Sequence, residues 1–556
     1  MIKEVKVKEL LFCLLGLTLT CLVRAQTPVN QVFQYMQSGT CKTWADSSKT
    51  EATLYLWIPE KCPKVRGLLI MCANVPEHRL VGHSAIRKVC EANDLGIIWG
   101  VPSFMNFRKS TSKDNKTLNM ALEYSTTVNF LQQLLNGLAQ SSGYPEIATV
   151  PWLPMGESGH LLMVDALVEN SPERCLAGIW IKNNHLPPKN REVPALVIFG
   201  TSQEWGQDKE DIRTRWNNIG SEYDKIQTER KLHPNWPLSY VIDGTSGHFD
   251  CSERITKYIA GYIDQVSKAR LSRDNSPKLR PVVMEQGYTT DLPIPGHTDC
   301  SVRVWSEASR EGKSFPWYFD KSTAQEAKEI ASINWKAQTQ LPGYLDAKGN
   351  ILPYDFNGIT NFSSLEMEED GITFKIRGIM LDRIPANFIG AGERLVSAPG
   401  EPVAEWLCGP VEPLGKNRFR IALDRTYEKG ATYIGLRQEG NDSIRGIFEP
   451  AGINFRAIQN NEGKVQTITF ENIQDVKAGT KSVLLKAKSD AGLPVRFYVI
   501  AGPAIIKNDQ LIFTKIPPGS RFPVGVTVAA WQWGRGIEPK VKTAKIIRQS
   551  FNILQK

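Results

Sequence analysis

Strand-like and helix-like segments alternate from Arg66 onward, and this constrains the fold more than any other feature of the chain. "RGLLIMCAN" is a short apolar run, "HSAIRKVCEAN" has helical spacing, "LGIIWGVP" is a second strand, and "TLNMALEYSTTVNFLQQLLNGLAQ" predicts one long amphipathic helix. "ATVPWLPMGES", "LAGIWIKN", "PALVIFG" and "LSYVIDG" continue the strand series, with the helix-like "KEDIRTRWNNIGSEYDKIQ" between the last two. Strands apolar along their whole length, separated by helices, predict a mostly parallel sheet with helices on both faces over residues 26–270.

After Arg270 the texture changes. "SRDNSPKLRP" is charged and proline-bearing and reads as a linker, and "STAQEAKEIASINWKAQTQL" is the last helical pattern. Period-two alternation then dominates in "GITFKIRGIML", "RFRIALD", "ATYIGLRQ" and "GINFRAI". It returns from about Lys464 in "VQTITFENI", "KSVLLKAKS", "LPVRFYVI", "DQLIFTKI", "FPVGVTVAAWQW" and "TAKIIRQSFNIL". Alternation bounded by Gly, Asn and Asp is what an antiparallel sheet with one buried face requires. The expectation is a linker, helical segment and β-sandwich domain over 271–463, then an immunoglobulin-like β-sandwich over 464–556. A chain of 556 residues exceeds what one hydrophobic core sustains, in keeping with several units. Trp531 and Trp533 share one face of their strand and read as core as readily as a binding surface.

Residues 1–25 read as a cleaved secretory signal. Lys3, Lys6 and Lys8 precede the apolar "LLFCLLGLTLTCLV", and Val23-Arg24-Ala25 offers small residues ahead of a cut before Gln26. The stretch is about 14 residues and a membrane span needs roughly 20. No later segment is long and apolar enough, so the expected location is secreted or periplasmic, with no integral membrane segment after signal removal. Eight cysteines follow the leader without a CxxC pair, which argues against zinc and redox motifs. Cys41 with Cys62 is the first disulfide to test in an oxidising space. The formal charge of +9 falls by two with the leader's four cations and two anions. That excess favours an acidic partner, such as an anionic polysaccharide, and lies far below the basic density of a nucleic-acid binder.

In "WLPMGESGHLLMVDAL" a strand runs into Gly156-Glu157-Ser158-Gly159 and then a helix. Such a corner projects a hydroxyl above the end of a sheet, with glycines relieving clashes at strained backbone angles. The helix begins with amides aimed at the same place, so the Gly159 N–H is a candidate oxyanion donor. A serine hydroxyl is a poor nucleophile at neutral pH and needs a general base within reach. The alternative for Ser158 is a plain turn residue.

With this corner in that succession of elements, residues 26–270 resemble an α/β-hydrolase, a fold whose serine esterases carry G-x-S-x-G. Here the corner reads "GESGH", with His160 in place of the second glycine. The resemblance implies a base on the loop after the last strand, where "LSYVIDGTSGHFDCSERITKYIAGYI" supplies His248. It implies an acid after the preceding strand, in "PALVIFGTSQEWGQD": Gln203 stands where aspartate is usual, Glu204 follows as the first candidate, and Asp208 is the second. Asp243, in the histidine's own loop, is a third. A second oxyanion donor is implied after "RGLLIMC", at the Ala73 or Asn74 amide. His78, Arg79, His160 and Trp205 are candidate substrate contacts, and His78 and Arg79 serve equally well as helix-capping residues. Trp99 and Trp152 also lie near strand ends, where an indole stacks on a sugar ring. Only about ten residues, "NHLPPKNREV", occupy the place where lipases insert a lid, which suggests an open cleft.

A secretory leader, an open cleft and appended sandwiches resemble the polysaccharide-degrading carbohydrate esterases of Bacteroidetes. The resemblance implies a serine carboxylic ester hydrolase acting on plant cell-wall polysaccharide or oligosaccharide, pectin methylesterase-like, with no metal or organic cofactor. Acetyl or feruloyl esterase is the alternative within the fold, and peptidase chemistry is shared by it. From another class, the alternative is a non-catalytic glycan-binding protein with a degenerate hydrolase domain.

Overall fold

The computed structural model describes residues 31–42, 48–111, 118–182, 187, 190–202, 219–272, 276–355, 359–386 and 388–556. Residues 1–25, read as a signal, lie outside them. The N-terminal region is built on one sheet of eight strands: β1 (Tyr35–Lys42), β2 (Lys49–Trp57), β3 (Gly67–Cys72), β4 (Leu95–Val101), β5 (Trp152–Glu157), β6 (Gly178–Ile181), β7 (Ala195–Ser202) and β8 (Leu238–Gly247). Their order is β1-β2-β4-β3-β5-β6-β7-β8. β2 pairs antiparallel with β1 and β4, and every pair from β4 to β8 is parallel. β3, β4, β5 and β6 are buried at every position, as strands covered on both faces must be. At the sheet edge β1 alternates between buried and exposed positions.

Helices α1 (Val75–Leu80), α2 (Ser84–Ala92), α3 (Tyr124–Ser142), α4 (Leu161–Asn170), α5 (Ile219–Leu232) and α6 (Glu253–Arg270) fill the connections. α2 packs on α6, and α3 on α4. α3 starts later than its sequence pattern suggests: Leu118–Leu122 pairs instead with Phe107–Thr111 as a hairpin. Leu118, Met120 and Leu122 recur at every second residue, the strand period, which explains the difference.

Beyond Arg270, helix α7 (Lys321–Ala331) is capped by the Asp320 carboxylate and ends short of the pattern read for it. It packs on β8, the last strand of the sheet. Nearby, Tyr318 Oη donates to Tyr240 O (2.8 Å) and Ser239 Oγ to Trp317 O (2.7 Å). The helical segment that follows the linker therefore borders the sheet, where a bare edge would invite unwanted pairing.

Two sets of sheets follow. In the middle region β9 (Thr360–Phe362), β10 (Val403–Cys408), β11 (Tyr433–Gln438) and β12 (Ile447–Ile453) lie in the order β9-β12-β11-β10. Thr373–Lys375, Val411–Gly415 and Arg418–Ile421 form a three-stranded companion sheet. The C-terminal region repeats the plan with a four-stranded sheet that contains Val524–Trp531 and a three-stranded sheet. These pairs of sheets are consistent with the two sandwiches expected. "GINFRAI" is only half strand: the Asn454 side chain accepts the Arg456 and Ala457 N–H groups and starts a short helix, Phe455–Ile458. Trp531 and Trp533 are core residues, 3% and 1% exposed.

One contiguous buried cluster runs from the N-terminal sheet into both β regions. The eight described cysteines are free, so Cys41 and Cys62 are not joined; Cys41 Sγ donates to Ser103 O (3.4 Å). Burial pushes the Cys41 thiol up to about 11 and the Cys62 thiol to about 12, which keeps both protonated. Among the described residues no helix is long and apolar enough to cross a membrane.

Candidate active site

β5 ends at Glu157, and Ser158 follows at φ +53°, in the left-handed region. That conformation costs an L-residue roughly 1–2 kcal/mol, so something must hold it. Glu77 of α1, fully buried, accepts the Glu157 N–H at Oε1 (2.7 Å). Asn74, which immediately precedes α1, donates from Nδ2 to Glu157 O (3.1 Å) and Glu157 Oε2 (2.5 Å). Gly156 is required where it stands, because a Cβ there would lie 2.5 Å from the His160 carbonyl oxygen. Gly159 borders open space.

His248 lies just beyond β8, fully buried, with Nε2 2.8 Å from Ser158 Oγ although 90 positions separate them. The fold thus brings together the two residues predicted as nucleophile and base. A third group is one the sequence reading gave no role: Glu157 Oε1 lies 3.3 Å from the same Nε2. Its only sequence signal was its place between Gly156 and Ser158. A buried carboxylate there faces the positive charge that the ring acquires on taking a proton.

Several expected contacts have other duties. The Ala73 N–H donates to Gly100 O within the sheet (2.7 Å), which removes it as an oxyanion donor and leaves Asn74. The Asp243 carboxylate is engaged by Lys182 Nζ (3.0 Å) and Ser246 Oγ (2.5 Å), tying the chain after β6 to β8. Glu204, Asp208 and Trp205 lie outside the described residues. His78 is 2% exposed and cannot meet substrate. Its Nε2 lies 3.2 Å from Asp424 Oδ2, its Nδ1 accepts the Gly409 N–H (3.0 Å), and its ring packs against Trp99 and Trp406. Burial alone would raise the Asp424 carboxyl, but hydrogen bonds from His78 and Thr426 bring it below its ordinary value.

Arg79 Nη1 faces Glu405 Oε2 of β10 at 4.0 Å. His160 turns toward the buried Glu77, Nδ1 to Oε1 3.7 Å, so the residue replacing the second glycine joins the group under the corner. Trp99 and Trp152 are each 1% exposed, hence core rather than sugar platforms; Trp152 carries the Arg174 guanidinium over its ring at 3.8 Å. The aromatic pair beside the base is a different one. Phe249 meets the His248 ring edge-on (4.9 Å, 88°) and stacks on Tyr433 of β11 (5.3 Å, 17°). Both are half-buried, and Val75, Leu407, Cys408 and Phe448 form a small apolar cluster against them.

No family model matches the chain, and none of the curated proteins matches it. Solved structures similar to it include an alpha-beta serine hydrolase homologue from Coxiella burnetii, with 12% identity, covering 41% of this chain and 96% of that one, at a TM-score of 0.24. A siderophore hydrolase from Aspergillus nidulans shows 10% identity, 42% and 94% coverage and a TM-score of 0.28. A dienelactone hydrolase from Anabaena variabilis shows 12% identity, 42% and 100% coverage and a TM-score of 0.26. The fold assignment rests on the strand order and the left-handed corner themselves: the N-terminal region has the α/β-hydrolase fold.

Proposed function

We propose that this protein is a serine carboxylic ester hydrolase, with Ser158 as nucleophile and His248 as general base. The observation that carries the reading is the 2.8 Å contact between Ser158 Oγ and His248 Nε2 at a serine held in the left-handed region. Ser158 Oγ attacks the ester carbonyl carbon while Nε2 takes its proton, forming the C–O bond of a tetrahedral intermediate. Its oxyanion is met by the Gly159 N–H and the Asn74 N–H. Glu157 stabilises the imidazolium, and Glu204, ahead of Asp208, orients the ring. Collapse breaks the bond to the alcohol, which leaves with the proton from Nε2. Water then gives its proton to Nε2 and attacks the acyl-enzyme, and the acid departs as Ser158 recovers its proton. No step uses a metal or organic cofactor.

The substrate we propose is an ester on an acidic plant cell-wall polysaccharide, pectin methyl ester above all, acted on outside the cytoplasm. Three features support this: the basic excess, the signal-like leader, and the aromatic pair Phe249–Tyr433 beside the base. The full chain should hydrolyse p-nitrophenyl acetate and be labelled by a fluorophosphonate, and Ser158→Ala should lose both by about 10³-fold or more. A variant as fast as wild type overturns the nucleophile assignment. A wild type that neither turns over nor labels replaces the enzyme reading with the glycan-binding one. Methanol release from pectin, against acetate or ferulate release from other native polysaccharides, decides the ester.

A further inference from the structure

His248 opens a tripeptide whose next two side chains are held from outside the α/β region. Phe249 stacks on Tyr433. Asp250, fully buried, receives two hydrogen bonds from Arg437 of the same strand β11: Nη2 to Oδ1 at 2.9 Å and Nη1 to Oδ2 at 3.2 Å. Arg437 is itself fixed on its own sheet. Nε donates to Glu405 Oε1 (2.9 Å), Nη2 to Glu405 Oε2 (3.3 Å), and the guanidinium lies over the Phe448 ring at 4.6 Å. Burial works against its charge, but Asp250 and Glu405 more than offset that and hold the group above its ordinary value. A planar fork braced on three sides defines where Asp250 sits in a way a lysine point charge does not.

We propose that Arg437 is a positioning residue for the hydrolysis: by gripping Asp250 it fixes the loop two residues beyond His248, and so the imidazole against Ser158. The inference rests on the reading of Ser158 and His248 as nucleophile and base. It makes the middle β region part of the catalytic apparatus. Losing the grip leaves a buried carboxylate without its counter-charge, and the loop must shift to hydrate it. A misplacement of about 1 Å in a reacting group costs on the order of 10²-fold in rate. Arg437 acts on the enzyme's own loop, so the loss falls on kcat rather than KM.

The test compares full-length wild type, Arg437→Met and Arg437→Lys in p-nitrophenyl acetate kinetics and fluorophosphonate labelling, with thermal melts alongside. The expected result is a fall in kcat and labelling rate of about a hundredfold for Arg437→Met and about tenfold for Arg437→Lys, with KM within about twofold. Ethylguanidinium should restore part of the rate of Arg437→Ala, whose truncated side chain leaves room for it, a recovery that general destabilisation does not give. Folded variants with wild-type kcat overturn the proposal. If Arg437→Met does not fold, Arg437→Lys decides alone: wild-type kcat overturns, a selective kcat loss supports. A wild type inert to the fluorophosphonate removes the Ser158–His248 reading and this inference with it, whereas a reactive wild type with indifferent variants removes only the role of Arg437.

Discussion

Ser158 combines a strained backbone with the side chain proposed as nucleophile, and the two can be separated by substitution. Glycine enters the left-handed region freely and alanine does not, so among inactive variants Ser158→Gly should be more stable than Ser158→Ala by about 1 kcal/mol. Urea unfolding of the two measures it; equal stability would mean the corner is not a store of strain. At this scale the pairing of Ser158 with His248 was legible. The two could be picked out because a glycine-flanked turn after one strand and a histidine after the last strand lie at the same end of a parallel sheet. Glu157 could not be, because the side on which a carboxylate lies depends on what its neighbours in space offer, here the Asn74 side-chain amide.

Among the elements, the short helix α1 couples two regions. Glu77 holds the corner while His78, the next residue, holds Asp424 from the middle region. The Asp424 carboxyl lies lower in the folded chain than its unfolded value of about 3.9, so its stabilisation is present above that pH and is lost as pH falls through the folded value. Asp424→Asn should therefore lower stability by about 2 kcal/mol at pH 7, with the gap from wild type closing below about pH 4. Melts across that range check it, and a gap unchanged at pH 3 would assign the loss to shape rather than charge. The parallel strands were readable because burial on both faces leaves an unbroken apolar run. The hairpin strand Leu118–Leu122 was not, since its apolar residues lead straight into a helical pattern. The turn at Asn454 was missed because a capping side chain, not a change in hydrophobic period, ends the strand there.

For the whole molecule, the continuous buried cluster joining all three regions predicts that they unfold together. Calorimetry should show one transition, with fluorophosphonate reactivity lost in the same interval; an early transition that leaves Ser158 reactive would contradict it. This is also the scale at which sequence reading fell silent. Arg437 and Asp250 are 187 positions apart, and neither belongs to a motif that names the other. Partnerships of that kind arise from how whole regions dock, after each has satisfied its own periodicity. The described cysteines offer a last, practical consequence. Since no sulfur–sulfur bond links any of them, reaching the native packing asks nothing of a thiol oxidase or a disulfide isomerase, and recombinant production in a reducing host should deliver these cysteines in the same state.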